Sequence, residues 1–293
     1  MTVSMQYHNL CIDIDYSDLK ELGRTGEKVP AIGLGTWGIG GFFEPDHSKD
    51  EIWIKIVKKA IELGMWLIDT AEMYGGGHSE EVVGQAISQF DREHIFIITK
   101  VRPEKLLKHV DVFSALLKEV KSSLCRLNVK YIDLYLLHWP PRRELGTIMR
   151  GMERLVNLGY VRYIGVSNFN IKFLAEARES LSFTDIVADE VEYNLLNRTI
   201  EINLLPYAQK EGITIIAYRP LARGELAKNR FLACIGQKYN KTSAQVALNW
   251  LICNKRVIAI PKTENEDHLA ENANAMGWRL SVSDFLYIST VFH

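Results

Sequence analysis

The sequence predicts a closed (β/α)8 barrel. Eight short apolar runs alternate with segments of helical spacing over roughly 250 residues, the usual length of such a barrel. The runs lack polar alternation, as expected for parallel strands that are buried on both faces. No segment rich in Pro, Gly or Ser interrupts the alternation, so we expect one domain over residues 1–293, with residues 1–18 as an N-terminal extension.

The predicted strands are short and mostly apolar. They cover residues 31–35, 66–69, 95–100, 132–137, 163–167, 186–192, 213–218 and 257–261. Before the first of them, residues 19–29 contain a glycine-rich turn at 23–26, and this pattern predicts a hairpin that closes the floor of the barrel.

The segments between the strands have helical signals. Residues 50–64 place apolar side chains on one face and lysines on the other, and Gly64 ends the run. Residues 242–245 form a capping-box signature, and residues 144–147 indicate another helix start. A doubly wound open sheet is the rival architecture, but residues 35–41 contain only a weak form of its glycine-rich turn.

Composition excludes several classes of protein. The formal net charge is -1 and no basic run interleaves with aromatics, so nucleic acid is not an expected partner. The four cysteines are far apart and suggest reduced thiols in a cytoplasmic protein; they are Cys11, Cys125, Cys234 and Cys253. We expect no signal peptide and no membrane span, and the sequence carries no signal for an oligomeric state.

Polar residues stand where three predicted strands end. Asp69, Lys100 and His138 close or follow the second, third and fourth strands, and Tyr74 follows in the loop after the second. The carboxyl ends of barrel strands form one rim, where active sites of this fold lie. We therefore expect these four side chains to be neighbours.

Their chemistry suits proton transfer to a developing oxyanion. A nearby ammonium favours the phenolate form of a tyrosine and lowers its pKa, while a carboxylate keeps the lysine charged. A neutral imidazole can donate a hydrogen bond to a carbonyl oxygen. This combination predicts carbonyl reduction by hydride from a bound cofactor.

Two other chemistries are less favoured. A Schiff-base aldolase would use Lys100 as a nucleophile, but a carboxylate beside it would keep it protonated. A metal-dependent hydrolase is disfavoured because none of the eight histidines forms a ligand pair with short spacing, so no metal is expected.

Several segments resemble motifs of the aldo-keto reductase superfamily over nearly the whole chain. They are residues 33–37 (Gly-Leu-Gly-Thr-Trp), 69–75 (Asp-Thr-Ala-Glu-Met-Tyr-Gly), 99–100 (Thr-Lys), 137–140 (Leu-His-Trp-Pro), 165–169 (Gly-Val-Ser-Asn-Phe) and 260–263 (Ile-Pro-Lys-Thr). The resemblance implies reduction of an aldehyde or ketone, or oxidation of the corresponding alcohol. Tyr74 would be the general acid, Lys100 and Asp69 would tune it, and His138 would orient the carbonyl.

The same resemblance implies a nicotinamide cofactor, with NADP(H) favoured and NAD(H) as an alternative. Ser167 and Asn168 would hold the carboxamide, Tyr218 would stack on the ring, and residues 220–224 would follow the pyrophosphate. Lys262 and Thr263 would meet a ribose 2′-phosphate, and Glu271 and Asn272 would face the adenine. The implied cofactor contacts are Gly35, Thr36, Trp37, Asp69, Ser167, Asn168, Glu190, Tyr218, Arg219, Pro220, Leu221, Arg223, Gly224, Pro261, Lys262, Thr263, His268, Glu271 and Asn272. The implied substrate contacts are Trp37, Tyr74, His138 and Trp139, with Phe42 or Phe43 beside them.

Three positions depart from the family pattern around the cofactor. Glu190 replaces a Gln, and an ionised Glu190 would favour the cationic oxidised ring. His268 replaces an Arg that reads the 2′-phosphate, and Arg219 stands where a small residue is usual. The alternative to an enzyme is a non-catalytic regulatory subunit that holds nicotinamide cofactor on the same barrel.

Overall fold

The computed structural model describes residues 15–292. Most of the predicted N-terminal extension, including Cys11, lies outside this range. Eight parallel strands follow one another around a single sheet in chain order. The first and last strands also meet, because Ile32 pairs in parallel with Ala259 and the Gly33 N–H donates to the Ala259 carbonyl over 2.9 Å. The predicted closed barrel is confirmed.

The barrel strands agree with the predicted ones to within about three residues at each end. They are β3 (Leu34–Gly35), β4 (Leu67–Asp69), β5 (Phe96–Val101), β6 (Ile132–Leu137), β7 (Val161–Ser167), β8 (Ile186–Glu192), β9 (Thr214–Tyr218) and β10 (Val257–Ala259). The first is shorter than predicted because residues before Leu34 pair with the last strand only through a single bridge.

The predicted hairpin is present and closes the barrel floor. Strand β1 (Leu19–Glu21) pairs antiparallel with β2 (Lys28–Pro30). Leu22 and Val29 are fully buried in one apolar cluster with interior barrel side chains such as Phe96 and Ile216. Burial of each such side chain contributes roughly 1.5–3 kcal/mol. The hairpin therefore leaves only the opposite rim of the barrel open to ligands.

Helices follow the strands and cover the outside of the barrel. They are α1 (Asp50–Glu62), α2 (His78–Ile87), α3 (Pro103–Leu106), α4 (Val112–Leu127), α5 (Leu145–Asn157), α6 (Ile171–Glu179), α7 (Leu204–Glu211), α8 (Arg230–Gln237), α9 (Ser243–Ile252), α10 (Glu266–Ala273) and α11 (Val282–Val291). The predicted capping box starts α9, where Thr242 and Gln245 exchange side-chain and backbone hydrogen bonds. Across residues 15–292, none of the helices has the length and apolar character that a membrane span requires.

Candidate active site

The fold brings the four predicted side chains to one rim. Asp69 is the last residue of β4, Lys100 is the next-to-last residue of β5, and His138 follows β6 directly. The His138 N–H donates to the Val101 carbonyl over 3.0 Å, which keeps His138 level with the end of β5. Tyr74 begins a short 3-10 helix after β4. The rim therefore collects residues that are separated by up to 69 positions in the chain (138 − 69).

The Lys100 ammonium lies at the centre of this group and is completely buried. Its Nζ lies 2.5 Å from Asp69 Oδ1, 3.0 Å from the Thr70 carbonyl oxygen and 3.5 Å from the Tyr74 hydroxyl. A lysine ammonium has three N–H donors, so these contacts use all of them. Lys100 therefore connects a carboxylate to the phenol that it faces.

Glu190 adds a second carboxyl group to the cluster. Its Oε2 lies 3.2 Å from Lys100 Nζ, but it is buried and receives no hydrogen bond among the described residues. Burial, followed by the Asp69 carboxylate, raises the pKa of Glu190 well above its usual value. Two carboxyl groups thus share one ammonium, and burial favours the protonated form of Glu190 more than it does for an exposed glutamate.

The pKa of Tyr74 is raised in this site, although Lys100 alone acts to lower it. Burial has the largest effect, and the Asp69 and Glu190 carboxylates add to it. The expected lowering by the ammonium is therefore outweighed. The phenol remains protonated in the free protein, which is the form that a general acid requires.

His138 is held in its neutral form. Burial lowers the pKa of His138 to about 2, and the nearby cations Lys100 and Arg102 add to this lowering. Its Nδ1 is buried and makes no hydrogen bond within the described part of the chain. Its ring centroid lies 6.0 Å from that of Tyr74, so a small polar group between the two rings could contact both.

Glycines let the Tyr74 loop pack closely on the loop after β3. Gly75 has a φ of 55°, and a Cβ added to it would lie 2.0 Å from the Gly40 carbonyl oxygen. The Gly75 N–H donates to the Phe42 carbonyl over 2.9 Å. A side chain at Gly75 would force the loops apart and displace the neighbouring phenol.

Aromatic side chains surround the mouth of the site. The Trp37 ring centroid lies 4.8 Å from that of Tyr74, 5.5 Å from that of Phe42 and 5.4 Å from that of Phe43. Phe42 and Phe43 are 58% and 66% exposed, which is unusual for apolar rings on a monomer surface. On the opposite side, the Trp139 ring contacts His138 at 4.7 Å between centroids.

The predicted carboxamide contacts converge beside Glu190. Asn168 Nδ2 donates to Ser167 Oγ over 3.0 Å and to the His138 carbonyl over 3.3 Å. Ser167 Oγ donates to the Glu190 carbonyl over 2.9 Å, and the Tyr218 hydroxyl donates to Asn168 Oδ1 over 3.0 Å. The amide of Asn168 and the ring of Tyr218 therefore share the same corner of the rim.

The loop after β9 contains the predicted pyrophosphate contacts. Arg219, Ala222 and Arg223 all have positive φ values, of 50°, 47° and 57°. Such left-handed conformations are uncommon outside glycine and cluster at active sites and ligand-binding loops. Pro220, Leu221 and Gly224 lie in the same loop. Arg219 is paired with Glu192 over 2.9 Å, so its charge is already neutralised in part.

The predicted adenine side is formed by the residues after β10. Thr263 and Asn272 are buried, whereas Lys262 and His268 are exposed. Lys262 Nζ contacts Glu264 Oε1 over 2.6 Å, and His268 lies in the first turn of α10. Glu271 also lies on α10, and its carbonyl accepts a hydrogen bond from Gln245 over 3.1 Å.

The remaining predicted contacts lie where the first and last strands meet. The Gly35 N–H donates to the Pro261 carbonyl over 3.2 Å. Thr36 Oγ1 lies 2.9 Å from Ser79 Oγ, which ties this junction to α2. The residues predicted to contact the nicotinamide end and the adenine end of the cofactor are therefore both connected to the barrel rim.

Sequence reasoning missed several charged neighbours of these residues. Arg102 contributes to the neutral state of His138, and Glu104 accepts a hydrogen bond from Trp139 Nε1 over 2.8 Å. Glu192 and Glu264 pair with Arg219 and Lys262. Arg102 was detectable, because it directly follows the strand that carries Lys100. The two pairing glutamates had no signal beyond their proximity in sequence.

A family model for the Aldo/keto reductase family matches residues 31–291. The chain belongs to this family. It is 35% identical over 269 residues to methylglyoxal reductase YeaE of Escherichia coli (strain K12), covering 90% of this chain and 91% of that protein. It is 34% identical over 261 residues to a glyoxal reductase of Bacillus subtilis (strain 168), covering 88% of this chain and 87% of that protein.

Solved aldo-keto reductase structures share the barrel. The thermostable aldo-keto reductase Tm1743, solved with the inhibitor epalrestat, is 44% identical with a TM-score of 0.88, covering 93% of this chain and 99% of that chain. An aldo/keto reductase from Klebsiella pneumoniae, solved with NADP and acetate, is 32% identical with a TM-score of 0.83, covering 94% and 95%. The aldo/keto reductase described here is accordingly an oxidoreductase.

Proposed function

We propose that this aldo/keto reductase reduces small aldehydes or ketones to alcohols with NADPH. The observation that supports this most is the buried Tyr74–Lys100–Asp69 cluster beside a neutral His138 at the open rim. The names of its relatives as methylglyoxal and glyoxal reductases agree with this reaction. No observation favours the non-catalytic alternative, since all the groups needed for proton transfer are present.

The residues divide the reaction between binding and proton transfer. A bound reduced nicotinamide supplies the hydride that reaches the carbonyl carbon. His138 donates a hydrogen bond to the carbonyl oxygen without adding charge, and Tyr74 gives its proton to that oxygen as negative charge develops. Lys100 then stabilises the phenolate, while Asp69 holds the ammonium in place. The products are the alcohol and the oxidised cofactor.

The residues near Glu190 fit a nicotinamide cofactor. Ser167 and Asn168 offer hydroxyl and amide groups, and Tyr218 presents a ring beside them. Glu190 Oε2, which receives no hydrogen bond among the described residues, supports the placement of a polar ligand group here. We assign the left-handed loop after β9 to the pyrophosphate and the residues after β10 to the adenosine part.

The mouth favours a substrate with an apolar or aromatic part next to its carbonyl group. Trp37, Phe42, Phe43 and Trp139 offer aromatic surface within reach of Tyr74 and His138. We also propose that the protein acts in the cytoplasm as a single barrel domain. The cysteines of the described range, Cys125, Cys234 and Cys253, form no disulfide, which suits a reducing compartment.

Cofactor consumption tests the proposed function. NADPH and NADH oxidation is followed at 340 nm with a panel of aldehydes, 2-oxoaldehydes, ketones and sugars. We expect carbonyl-dependent oxidation of NADPH, with NADH slower. Binding of cofactor without turnover of any carbonyl compound would support a regulatory subunit instead.

Replacing Glu190 with Gln is expected to change the affinity for oxidised cofactor. A cationic nicotinamide ring favours the ionised Glu190, so binding of NADP⁺ to the native protein should release a proton. The ratio of the NADP⁺ and NADPH dissociation constants should therefore fall as the pH rises, by up to about tenfold per pH unit. Fluorescence titration from pH 6 to pH 9 measures both constants.

In the Glu190→Gln variant this ratio should be independent of pH in that range. The variant keeps the other titratable groups that face Glu190, and these groups provide the internal control. They are Asp69, Lys100 and Tyr74. The same pH dependence in both proteins would assign the proton to one of these neighbours and contradict the role of Glu190.

Replacing Lys262 with Met is expected to weaken NADPH binding more than NADH binding. Lys262 would provide a charge for the 2′-phosphate, and a charged hydrogen bond contributes about 1.5–3 kcal/mol, or roughly 10–100-fold in affinity. KM values for both cofactors measure the selectivity. Glu264→Gln is the matched test, because it removes the carboxylate that pairs with Lys262. This variant should strengthen NADPH binding relative to NADH binding. Equal losses for NADPH and NADH would place the phosphate elsewhere.

A further inference from the structure

Two histidines and an aspartate meet beside the barrel mouth, at residues outside the proposed reaction. His47 lies in the loop after β3, Asp50 begins α1, and His78 begins α2. One ligand atom from each of these residues lies within 4.8 Å of the others. They are the one such group of His, Cys, Asp or Glu side chains within residues 15–292.

The Asp50 carboxylate links the two imidazoles. Its Oδ1 lies 2.8 Å from His78 Nε2, and its Oδ2 lies 3.3 Å from His47 Nδ1. The two imidazole ring centroids are 3.9 Å apart. We propose that His47, Asp50 and His78 bind one divalent first-row metal ion, with zinc as the test ion.

The ligand set and its spacing suit this kind of metal. Imidazole nitrogen and carboxylate oxygen are common zinc ligands, with bonds of about 2.0–2.2 Å. Tetrahedral bonds of that length separate two ligand atoms by about 3.3 Å. Asp50 Oδ2 already lies at this distance from His47 Nδ1, at 3.3 Å. Asp50 Oδ1 lies 2.8 Å from His78 Nε2, so this contact needs to open by about 0.5 Å. The His47 and Asp50 side chains are 66% and 27% exposed, which leaves a coordination position for water.

The buried histidine also has the outer partner that metal-bound histidines usually have. His78 Nδ1 contacts Glu81 Oε2 over 2.7 Å, on the side of the ring away from Asp50. A carboxylate at this position fixes the ring orientation and strengthens the opposite nitrogen as a ligand. The carboxylates of Asp50 and Glu81 together balance the double positive charge of the ion.

A metal at this position would connect two loops that shape the mouth. His47 follows the segment that carries Phe42 and Phe43, and His78 follows Tyr74–Gly77. These segments already touch, since the Gly75 N–H donates to the Phe42 carbonyl. The ion would act as a clamp on the substrate side of the barrel, separate from hydride and proton transfer.

Zinc titration of the full-length protein tests this site. The protein is first dialysed against EDTA and then against chelator-free buffer, and zinc chloride is added during isothermal titration calorimetry. We expect one saturable equivalent. At a free zinc concentration of roughly 100 times Kd, the midpoint of thermal unfolding should rise by about 5 °C.

His47→Ala is the deciding variant, because this exposed side chain is not needed for folding. It should lose the equivalent and the thermal shift. His94→Ala is the matched control, since His94 is 82% exposed and lies next to Asp91 before β5, at the other end of the barrel. It should bind zinc as the native protein does.

Two results would overturn the proposal. One is the absence of a saturable equivalent in the native protein, which would make the cluster an ion pair only. The other is unchanged binding in His47→Ala, which would place the ion outside this cluster. Neither result depends on the reductase activity.

Discussion

Replacing Tyr74 with Phe is expected to lower kcat for carbonyl reduction by about 10²–10⁴-fold, the usual contribution of a positioned general acid. The change removes the hydroxyl that lies 3.5 Å from Lys100 and leaves the ring that packs on Trp37. Without the hydroxyl, the oxygen of the reduced carbonyl has no proton donor of suitable position. Steady-state kinetics with NADPH and a reactive aldehyde measure the loss.

Binding of NADPH to the Tyr74→Phe variant should be close to native, which separates a chemical role from a structural one. Tyr163→Phe is the matched control, because Tyr163 lies near the start of β7, on the floor side, and its hydroxyl contacts Glu27 over 3.2 Å. This control should keep native kcat. A Tyr74→Phe variant with more than about a tenth of native kcat would show that another group supplies the proton.

The strand order of the barrel could be predicted because parallel strands that are buried on both faces have a distinctive apolar pattern. Once the fold was predicted, the meeting of Asp69, Lys100 and His138 followed from their strand-end positions. The hairpin below the barrel was predicted for a similar reason, since its glycine-rich turn and the buried Val29 belong to one short segment.

The contacts of Glu190 with its neighbours could not be predicted in the same way. The sequence identified it as a departure from the family pattern, but not that its Oε2 lies 3.2 Å from Lys100 without a hydrogen bond. That contact depends on the pairing of Ser167 with Glu190 and on side-chain packing inside the rim. The raised pKa of Tyr74 was missed for the same reason, because burial exceeds the effect of Lys100.

The His47–Asp50–His78 group shows a related limit of sequence reasoning. A search for closely spaced histidines excludes it, because 31 positions separate the two histidines (78 − 47). Only the close packing of the loop after β3 on the start of α2, with Gly40 against Ser79, brings them together. Metal ligands that come from different βα loops therefore cannot be recognised from sequence spacing, because only the folded barrel brings them together.

Replacing Lys100 with Met is expected to lower the free energy of unfolding by about 3–5 kcal/mol at pH 8, the usual effect of removing one partner of a buried ion pair. Lys100 is completely buried, and its loss leaves Asp69 and Glu190 without a cation. The variant should also lose carbonyl reduction, because no ammonium stabilises the phenolate. Urea unfolding followed by circular dichroism measures the stability.

The pH dependence identifies the cause of this loss. Burial already raises the pKa of Glu190, and without Lys100 both carboxyl groups should have folded-state pKa values above their unfolded values. The stability that such groups contribute is present below the unfolded pKa and is lost as the pH rises through the folded pKa. Lys100 itself stays charged in the native protein from pH 5 to pH 8, because Asp69 and Glu190 raise its pKa despite burial. The loss in free energy of unfolding caused by Lys100→Met should therefore be small near pH 5 and should grow toward pH 8.

Adding Asp69→Asn and Glu190→Gln to the Lys100→Met variant should remove this pH dependence. An equal loss of stability at pH 5 and pH 8 would indicate lost packing rather than uncompensated charge.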